Sequence, residues 1–184
     1  TQNLRGVSGS SGSDVWAVGD FGTAVRYDGS KWTSVSSGVL DHLNAVFSVG
    51  ASEVWAVGDA GTALRYDGTK WNKTTSGTTM NLRGVWGSGA SDVWAVGDEG
   101  TVVRWDGSSW KVVSSGTTTP LTSIGGRSAT EIYVSGAGGT VLRYDGTTFT
   151  RIASGTTFGL NRVVNAAKTE LWFLGDGGVV LRKR

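Results

Sequence analysis

Four aspartates, Asp20, Asp59, Asp98 and Asp176, occur in a Gly-Asp-x-Gly sequence, and their positions differ by 39 residues or a multiple of 39. Glycines on both sides favour a tight turn whose amides are partners for the carboxylate. If the fold gathers these turns on one surface, the carboxylates form a ring suited to sugar hydroxyls or to a basic patch on a protein. Ala137 interrupts that ring in the fourth copy. Turn capping and ligand binding are both consistent with the pattern.

Three further candidates break the repeat. His42 is the single histidine and stands beside Asp41, where the other copies have Asn, Pro or Gly. A catalytic dyad would need a Cys or a suitably placed Ser, so a solvated loop histidine is the favoured interpretation. Phe47 and Trp86 stand where the other copies have Ser, Gly or Val. They are candidates either for local packing or for an exposed contact with a ligand.

The acidic residues give no sign of a catalytic pair. Of 15 in total, all but Asp41 and Glu99 belong to three repeated series, which begin at Asp14, Asp20 and Asp28. A glycosidase or protease needs a specific, asymmetric acid and base. The chain is therefore predicted not to be an enzyme. No nucleotide-binding fingerprint and no metal-ligand spacing is present, and we expect no cofactor and no metal.

Composition excludes several other classes. There are no cysteines, so disulfides and thiolate sites are excluded. The net charge is +2, and the basic residues cluster only at 182–184, which predicts no nucleic-acid binding. No apolar run is long enough to insert into a membrane. The chain starts at Thr1, which suggests a natural start that was processed or trimmed, and a bacterial extracytoplasmic or secreted location is favoured.

The aspartates belong to a 39-residue repeat that occurs five times without insertion or deletion. The copies align on an acidic residue that precedes an apolar run, at Asp14, Glu53, Asp92, Glu131 and Glu170. Each copy has short segments rich in β-branched and aromatic residues, separated by Gly, Asp and Ser. In the first copy these segments are 4–7, 15–18, 23–27 and 31–35. None is long enough for a stable helix.

This period and strand content predict an all-β fold, a five-bladed β-propeller of four-stranded antiparallel blades. A single domain would span 1–184, with blades at approximately 1–38, 39–77, 78–116, 117–155 and 156–184. An open β-solenoid is the competing architecture. The fourth segment occurs only four times, so the last blade is expected to have three strands. Its unpaired outer edge would be open to strand addition or to self-association.

Several repeated side chains have predicted structural roles. The arginines of the third segment should pack between blades and pair with a repeated acid; they are Arg26, Arg65, Arg104, Arg143 and Arg182. The aromatic residues of the second segment should lie in the core; they are Trp16, Trp55, Trp94, Tyr133 and Trp172. Those of the outer segment should pack on the third; they are Trp32, Trp71, Trp110 and Phe149. The aspartates of the Asp-Gly turns should accept bonds from turn amides; they are Asp28, Asp67, Asp106 and Asp145.

The pattern Asp-Val-Trp-Ala-Val-Gly-Asp-x-Gly-Thr-x-x-Arg-Tyr-Asp-Gly-x-x-Trp resembles bacterial propeller repeats of the BNR/Asp-box class. It also resembles the repeats of photosystem II stability and assembly factor propellers. The resemblance covers 1–184 and implies the propeller fold. It departs from the Asp-box in that Trp32 follows Asp28 by four residues rather than five. Because arginines and tyrosines repeat evenly, the catalytic set of the sialidases in that class cannot be placed on particular positions.

The sequence therefore favours a non-enzymatic binding module that presents propeller loops to a protein or glycan partner. A carbohydrate-binding lectin is one alternative. A glycan-processing hydrolase is another, and it would need an acid pair at the central channel. A truncated or engineered propeller without a cellular ligand is the third, since the copies are nearly identical and the closing strand is absent.

Overall fold

The computed structural model describes residues 2–167 and 170–183 and shows five small antiparallel sheets, one for each sequence repeat. Blade 1 contains β1 (Leu4–Ser11), β2 (Asp14–Gly19), β3 (Ala24–Tyr27) and β4 (Trp32–Ser34), paired in chain order. Successive side chains of a strand point to opposite faces of its sheet, so each blade carries apolar residues on both faces.

Blades 2, 3 and 4 repeat this order. The strands of blade 2 are β5 (Leu43–Gly50), β6 (Glu53–Gly58), β7 (Thr62–Tyr66) and β8 (Trp71–Thr75). Those of blade 3 are β9 (Leu82–Gly89), β10 (Asp92–Gly97), β11 (Val102–Trp105) and β12 (Trp110–Val112). Those of blade 4 are β13 (Leu121–Ser128), β14 (Glu131–Gly136), β15 (Val141–Tyr144) and β16 (Phe149–Arg151).

Blade 5 has three strands among the described residues, β17 (Leu160–Ala167), β18 (Glu170–Gly175) and β19 (Val180–Lys183). The chain is thus a five-bladed β-propeller with four strands in blades 1 to 4 and three in the last, which confirms the fold predicted from the repeat. The first strands are longer than predicted, because each continues to a bulge near its end, as between Gly9 and Ser11.

The turn between the second and third strands is a short 3₁₀ turn that contains one residue in the left-handed region. In blades 1 to 3 that residue is Phe21, Ala60 or Glu99, with φ between 51° and 53°. In blades 4 and 5 it is Gly138 or Gly177. The second glycine of the turn also has positive φ, as at Gly22 with φ 68°, which a glycine adopts without strain. A left-handed L-residue costs roughly 1–2 kcal/mol, so the first three turns hold a small amount of strain that the last two avoid.

Consecutive blades are held together by four hydrophobic clusters, one at each junction. At the first junction the fully buried indole of Trp16 packs on Tyr66 and Trp71 of the next blade, with ring centroids 4.6 Å and 5.0 Å away. Trp55 and Trp94 repeat the arrangement in blades 2 and 3. Aromatic pairs in such tilted and edge-on geometries contribute about 0.5–1.5 kcal/mol beyond their buried area.

The predicted roles of the repeated aromatic and arginine residues are confirmed, with two exceptions. Trp172 is only half-buried, because no blade covers its side of blade 5, so its assignment to the core was wrong. In blade 4 the acid Glu131 pairs with Arg127 rather than with the repeated arginine. In the other four blades the arginine both pairs with its acid and lies over the indole of the second strand. Arg104, for example, pairs with Asp92 and lies 4.9 Å from the ring of Trp94.

Candidate binding surface

A cavity of about 500 Å³ lies at the centre of the propeller, where the first strands of all five blades converge. It is lined by segments 6–8, 45–47, 83–86, 123–125 and 162–165. Small residues at the middle of these strands allow the close approach: a Cβ at Gly84 would meet the backbone of the next blade, at Ser123, within 3.1 Å. Because the segments are equivalent, a residue that differs from its counterparts gives the cavity a unique feature.

Phe47 and Trp86 are two such residues, and both line the cavity. Their ring centroids are 6.3 Å apart, and each is partly buried against a junction cluster. A Cβ built on Gly126 would collide with the ring of Trp86, so glycine there leaves room for the indole. The sequence left local packing and ligand contact as alternatives. In the structure each ring packs partly against a junction cluster and also lines the cavity. The two rings present an aromatic wall to the cavity.

Arg162 is the third distinctive residue, and the sequence analysis missed it. It occupies the register position of Gly6, Ala45, Gly84 and Ser123, and it is exposed on the cavity lining. Its side chain forms no hydrogen bond and no ion pair with any described residue. The signal was present in the repeat alignment, since a long cation replaces a residue that is small in every other copy.

The other guanidinium on the lining, Arg83, is already occupied. It pairs with Asp98 through both Nε and Nη2, and this pairing lowers the pKa of Asp98. No aspartate or glutamate lies among the described residues that line the cavity. Arg162 therefore leaves an unmatched positive charge on the same cavity lining as the aromatic wall.

The repeated aspartates do not converge on one site. Each carboxylate binds side chains at the start of its own blade's first strand, rather than its own turn. Asp20 accepts from Asn3 at 2.8 Å and from Arg5 at 2.6 Å, and these bonds lower its pKa. The others follow the same rule: Asp59 accepts from Asn44, Asp98 from Asn81, and Asp176 from Asn161. Their acceptor capacity is thus largely used within the fold.

His42 joins blades 1 and 2. Its ring stacks on Phe21 with centroids 4.8 Å apart, and it is half-buried rather than free in solvent. Its Nδ1 lies 3.2 Å from both the amide nitrogen of Phe21 and Oδ1 of Asp20. An amide only donates and a carboxylate only accepts, so an unprotonated Nδ1 satisfies the first contact and a protonated one the second. Asn81 makes the corresponding contact at the next junction, which assigns this position a structural role.

The Asp-Gly turns behave as predicted. Oδ1 of Asp28 accepts from the amides of Ser30 and Lys31 at 2.8 Å and 2.9 Å. These bonds, that of the Lys31 amide first, lower the pKa of Asp28 to about 2. The same pattern, led by the hydroxyl of Thr147, lowers the pKa of Asp145 to about 2. These carboxylates stabilise turns and are exposed on the outer rim, away from the cavity.

Four grooves repeat on the face that carries the blade connections, one beside each of the first four blades. The largest has a volume of about 800 Å³ and is lined by segments 99–102 and 112–118. The serine hydroxyls of these connections are bound locally, as Ser76 Oγ donates to the carbonyl of Gly61 at 2.6 Å. The four grooves are therefore similar to one another, and each is lined largely by the Ser-Gly-Thr type of connection between blades.

The described part of the chain contains neither a cluster of metal ligands nor a membrane-spanning helix. No group of three or more His, Asp or Glu side chains lies close enough together to hold a metal ion. No helix there is long and apolar enough to cross a membrane.

The fold and its inner surface thus define a five-bladed β-propeller with one distinctive cavity. Solved structures support the fold: a propeller described as YCF48 bound to D1 peptide aligns with 98% of this chain and 77% of its own, at a TM-score of 0.51 and 15% identity. YCF48 from Cyanidioschyzon merolae aligns with 98% of this chain and 95% of its own, at 0.52 and 12%. No family model and no curated protein matches the sequence.

Proposed function

We propose that this chain is a non-enzymatic binding module whose central cavity accepts a segment of a protein partner. The observation that carries the proposal is the coincidence of three pattern-breaking residues, Phe47, Trp86 and Arg162, on the lining of one cavity. Residues shared by all copies serve the blades. Residues that differ and still converge are better explained by a ligand.

The chemistry of the three residues indicates what the segment carries. An exposed guanidinium without a partner suits a carboxylate, which it can bind through two parallel hydrogen bonds. The aromatic wall suits an apolar or aromatic side chain. We therefore expect a peptide that has a carboxylate, from Asp, Glu or a chain terminus, close to an apolar side chain. One of the similar propellers was solved with a bound peptide, which agrees with a protein partner.

A glycan partner is the second candidate, and the repeated grooves favour it. A lectin with one site per blade would use them, since four are present at equivalent positions. Against it, the serine hydroxyl in the groove at Ser76 is engaged by backbone carbonyls. A glycan-processing hydrolase has less support, because the cavity lining carries no acid pair among the described residues.

A library of random linear peptides displayed on phage tests the proposal, with a glycan array in parallel. We expect enriched peptides to combine a carboxylate with an apolar residue. The variants Trp86→Ser and Arg162→Ser take the residue found at the same position in another blade, at Ser8 and Ser123, so the strand backbone accepts both changes. Both should lose the enriched peptides.

Val112→Ser on an exposed outer strand is the control and should bind as the wild type does. Glycan binding that survives both cavity variants, with no peptide enrichment, would contradict the proposal and favour the lectin. Enriched peptides that bind the cavity variants as well as the wild type would also contradict it.

A further inference from the structure

The two end blades expose complementary faces that are buried everywhere else in the chain. In blades 2 to 5, one face of the sheet packs against the preceding blade. In blade 1 the equivalent face is exposed: Leu4 is 55% exposed, whereas its counterpart Leu43 is 0% exposed. In blades 1 to 4, the opposite face packs against the following blade. In blade 5 this face is exposed: Val180 is 55% exposed, whereas its counterpart Val141 is 2% exposed. These faces correspond to the two halves of one junction, which the chain contains four times already filled. Blade 5 differs at one position, where Arg162 replaces the small residue of the filled junctions.

No hydrogen bond, ion pair or hydrophobic cluster joins blade 1 to blade 5 among the described residues. The two faces are therefore not closed against each other within one chain. Exposed apolar faces of this kind are typical of interaction sites.

The aromatic parts of the junction are preformed on both faces. In a filled junction an indole packs on a pair of rings of the next blade, as Trp16 does on Tyr66 and Trp71, which are 5.5 Å apart. Blade 1 holds the equivalent ring pair, Tyr27 and Trp32, at 5.4 Å, and no indole packs on it in the described chain. Blade 5 holds the equivalent indole, Trp172, which is half-buried and lacks a ring pair.

Two polar contacts are also prepared. In a filled junction Asn44 Nδ2 donates both to Asp59 within its blade, at 2.8 Å, and to the carbonyl of Leu82 in the next blade, at 3.0 Å. Asn161 of blade 5 makes the first of these bonds, at 2.6 Å to Asp176, and lacks the second. The carbonyl of Leu4 occupies the position of the missing acceptor.

The second contact involves the left-handed turn. The amide of Ala60 donates at 3.0 Å to Oδ1 of Asn81 in the next blade, while Nδ2 of Asn81 donates to Asp98. Asn3 in blade 1 repeats the intrablade bond, and its Oδ1 has no donor among the described residues. The amide of Gly177 in blade 5 is the equivalent donor. Blade 5 therefore lacks the partner groups that blade 1 presents.

We propose that this chain associates head to tail, with the exposed face of blade 5 packed on the exposed face of blade 1 of a second copy. The occupant is a second copy because only a blade of this repeat offers the ring pair, the Leu4 carbonyl and the Asn3 amide oxygen in one register. Two different surfaces meet, so the contact is heterologous, and it closes a ring or extends a chain according to the rotation per subunit.

The test is sedimentation velocity on the purified chain over a concentration series from low micromolar to near millimolar. The wild type should self-associate. Leu4→Glu on blade 1 and Val180→Glu on blade 5 place a charge in the junction, and each should weaken association at least roughly tenfold, because the charge is buried without a partner. Both positions are exposed in the single chain, so folding should be kept, and neither lines the peptide cavity. Val112→Glu, exposed on the outer strand of blade 3, is the control and should associate as the wild type does.

Mixing the two variants distinguishes the geometry. Leu4→Glu keeps an intact blade 5 face, and Val180→Glu keeps an intact blade 1 face, so an equimolar mixture should form a dimer that cannot grow. A wild type that stays monomeric throughout would overturn the proposal, as would variants that associate like the wild type. Failure of the mixture to form a dimer would overturn the head-to-tail geometry. Peptide binding at the cavity is measured separately, in the concentration range where the chain is monomeric, because Arg162 stands at a position that contacts the next blade in a filled junction.

Discussion

Trp94 and Asp92 are joined inside blade 3 by a hydrogen bond of 2.9 Å in which the indole Nε1 donates to Oδ1 of the carboxylate. The same oxygen accepts from Nε of Arg104 at 2.8 Å. In blade 1 the equivalent acid, Asp14, keeps its arginine, but Nε1 of Trp16 has no partner among the described residues. The acid of blade 3 thus accepts from both the indole and the arginine, whereas the acid of blade 1 accepts from the arginine and not from the indole.

This difference predicts unequal losses on truncation. Asp92→Ala leaves a buried indole N–H without an acceptor, whereas Asp14→Ala leaves the indole of blade 1 as it was. We expect Asp92→Ala to lower the free energy of unfolding by about 1–3 kcal/mol more than Asp14→Ala does. Urea denaturation of both variants measures the difference. Equal losses would show that the indole bond does not contribute.

The turn glycines provide a matched pair. Gly61 has φ +70°, and a Cβ there would overlap the carbonyl oxygen of Thr78 in the connection to the next blade. Gly178 has φ +75°, and a Cβ there would meet nothing within 4 Å. Gly178→Ala should cost only the backbone penalty of about 1–2 kcal/mol. Gly61→Ala should cost a further 1–3 kcal/mol or so, because the connection must move. Thermal unfolding compares the two, and similar losses would contradict the close approach.

Relief of backbone strain predicts a stabilising substitution. Ala60 has φ +51°, while blades 4 and 5 have Gly138 and Gly177 at the same position. Ala60→Gly removes the left-handed penalty but adds flexibility to the unfolded chain, for a net gain of roughly 0.5–1 kcal/mol. The reverse change, Gly138→Ala, should lose a similar amount. Calorimetric melting temperatures check both signs, and a lower melting temperature for Ala60→Gly would contradict the assignment.

The Asp-Gly turns predict a dependence of stability on pH. The folded pKa of Asp28 and Asp145 is about 2, below the ordinary value of 3.8. Stability from these groups is therefore fully present above pH 3.8 and is lost as pH falls from there toward 2. Carbon-detected NMR titration of the side-chain carboxyls should give these low values directly. Asp28→Asn should flatten the loss of stability in that window, and an unchanged profile would contradict the role given to Asp28.

The strands and the Asp-Gly turns were predictable because their determinants are local. The run of β-branched and aromatic residues along β2 and the pair Asp28-Gly29 each act within a few residues. Burial of Trp172 was not predictable in this way, since it depends on whether a neighbouring blade covers it. The positive φ of Phe21 was missed because the position tolerates both glycine and L-residues. Of the cavity residues, Phe47 and Trp86 were recognised as breaks in the repeat, whereas Arg162 was overlooked.

The account rests on the claim that three residues which break the repeat form one binding site. Isothermal titration calorimetry of the best enriched peptide against the wild type and the double variant Trp86→Ser, Arg162→Ser tests it most directly. We expect the double variant to bind at least roughly thirtyfold more weakly, the loss typical of a central contact residue, at a temperature where circular dichroism shows both proteins folded. Equal affinity for both proteins would contradict the claim.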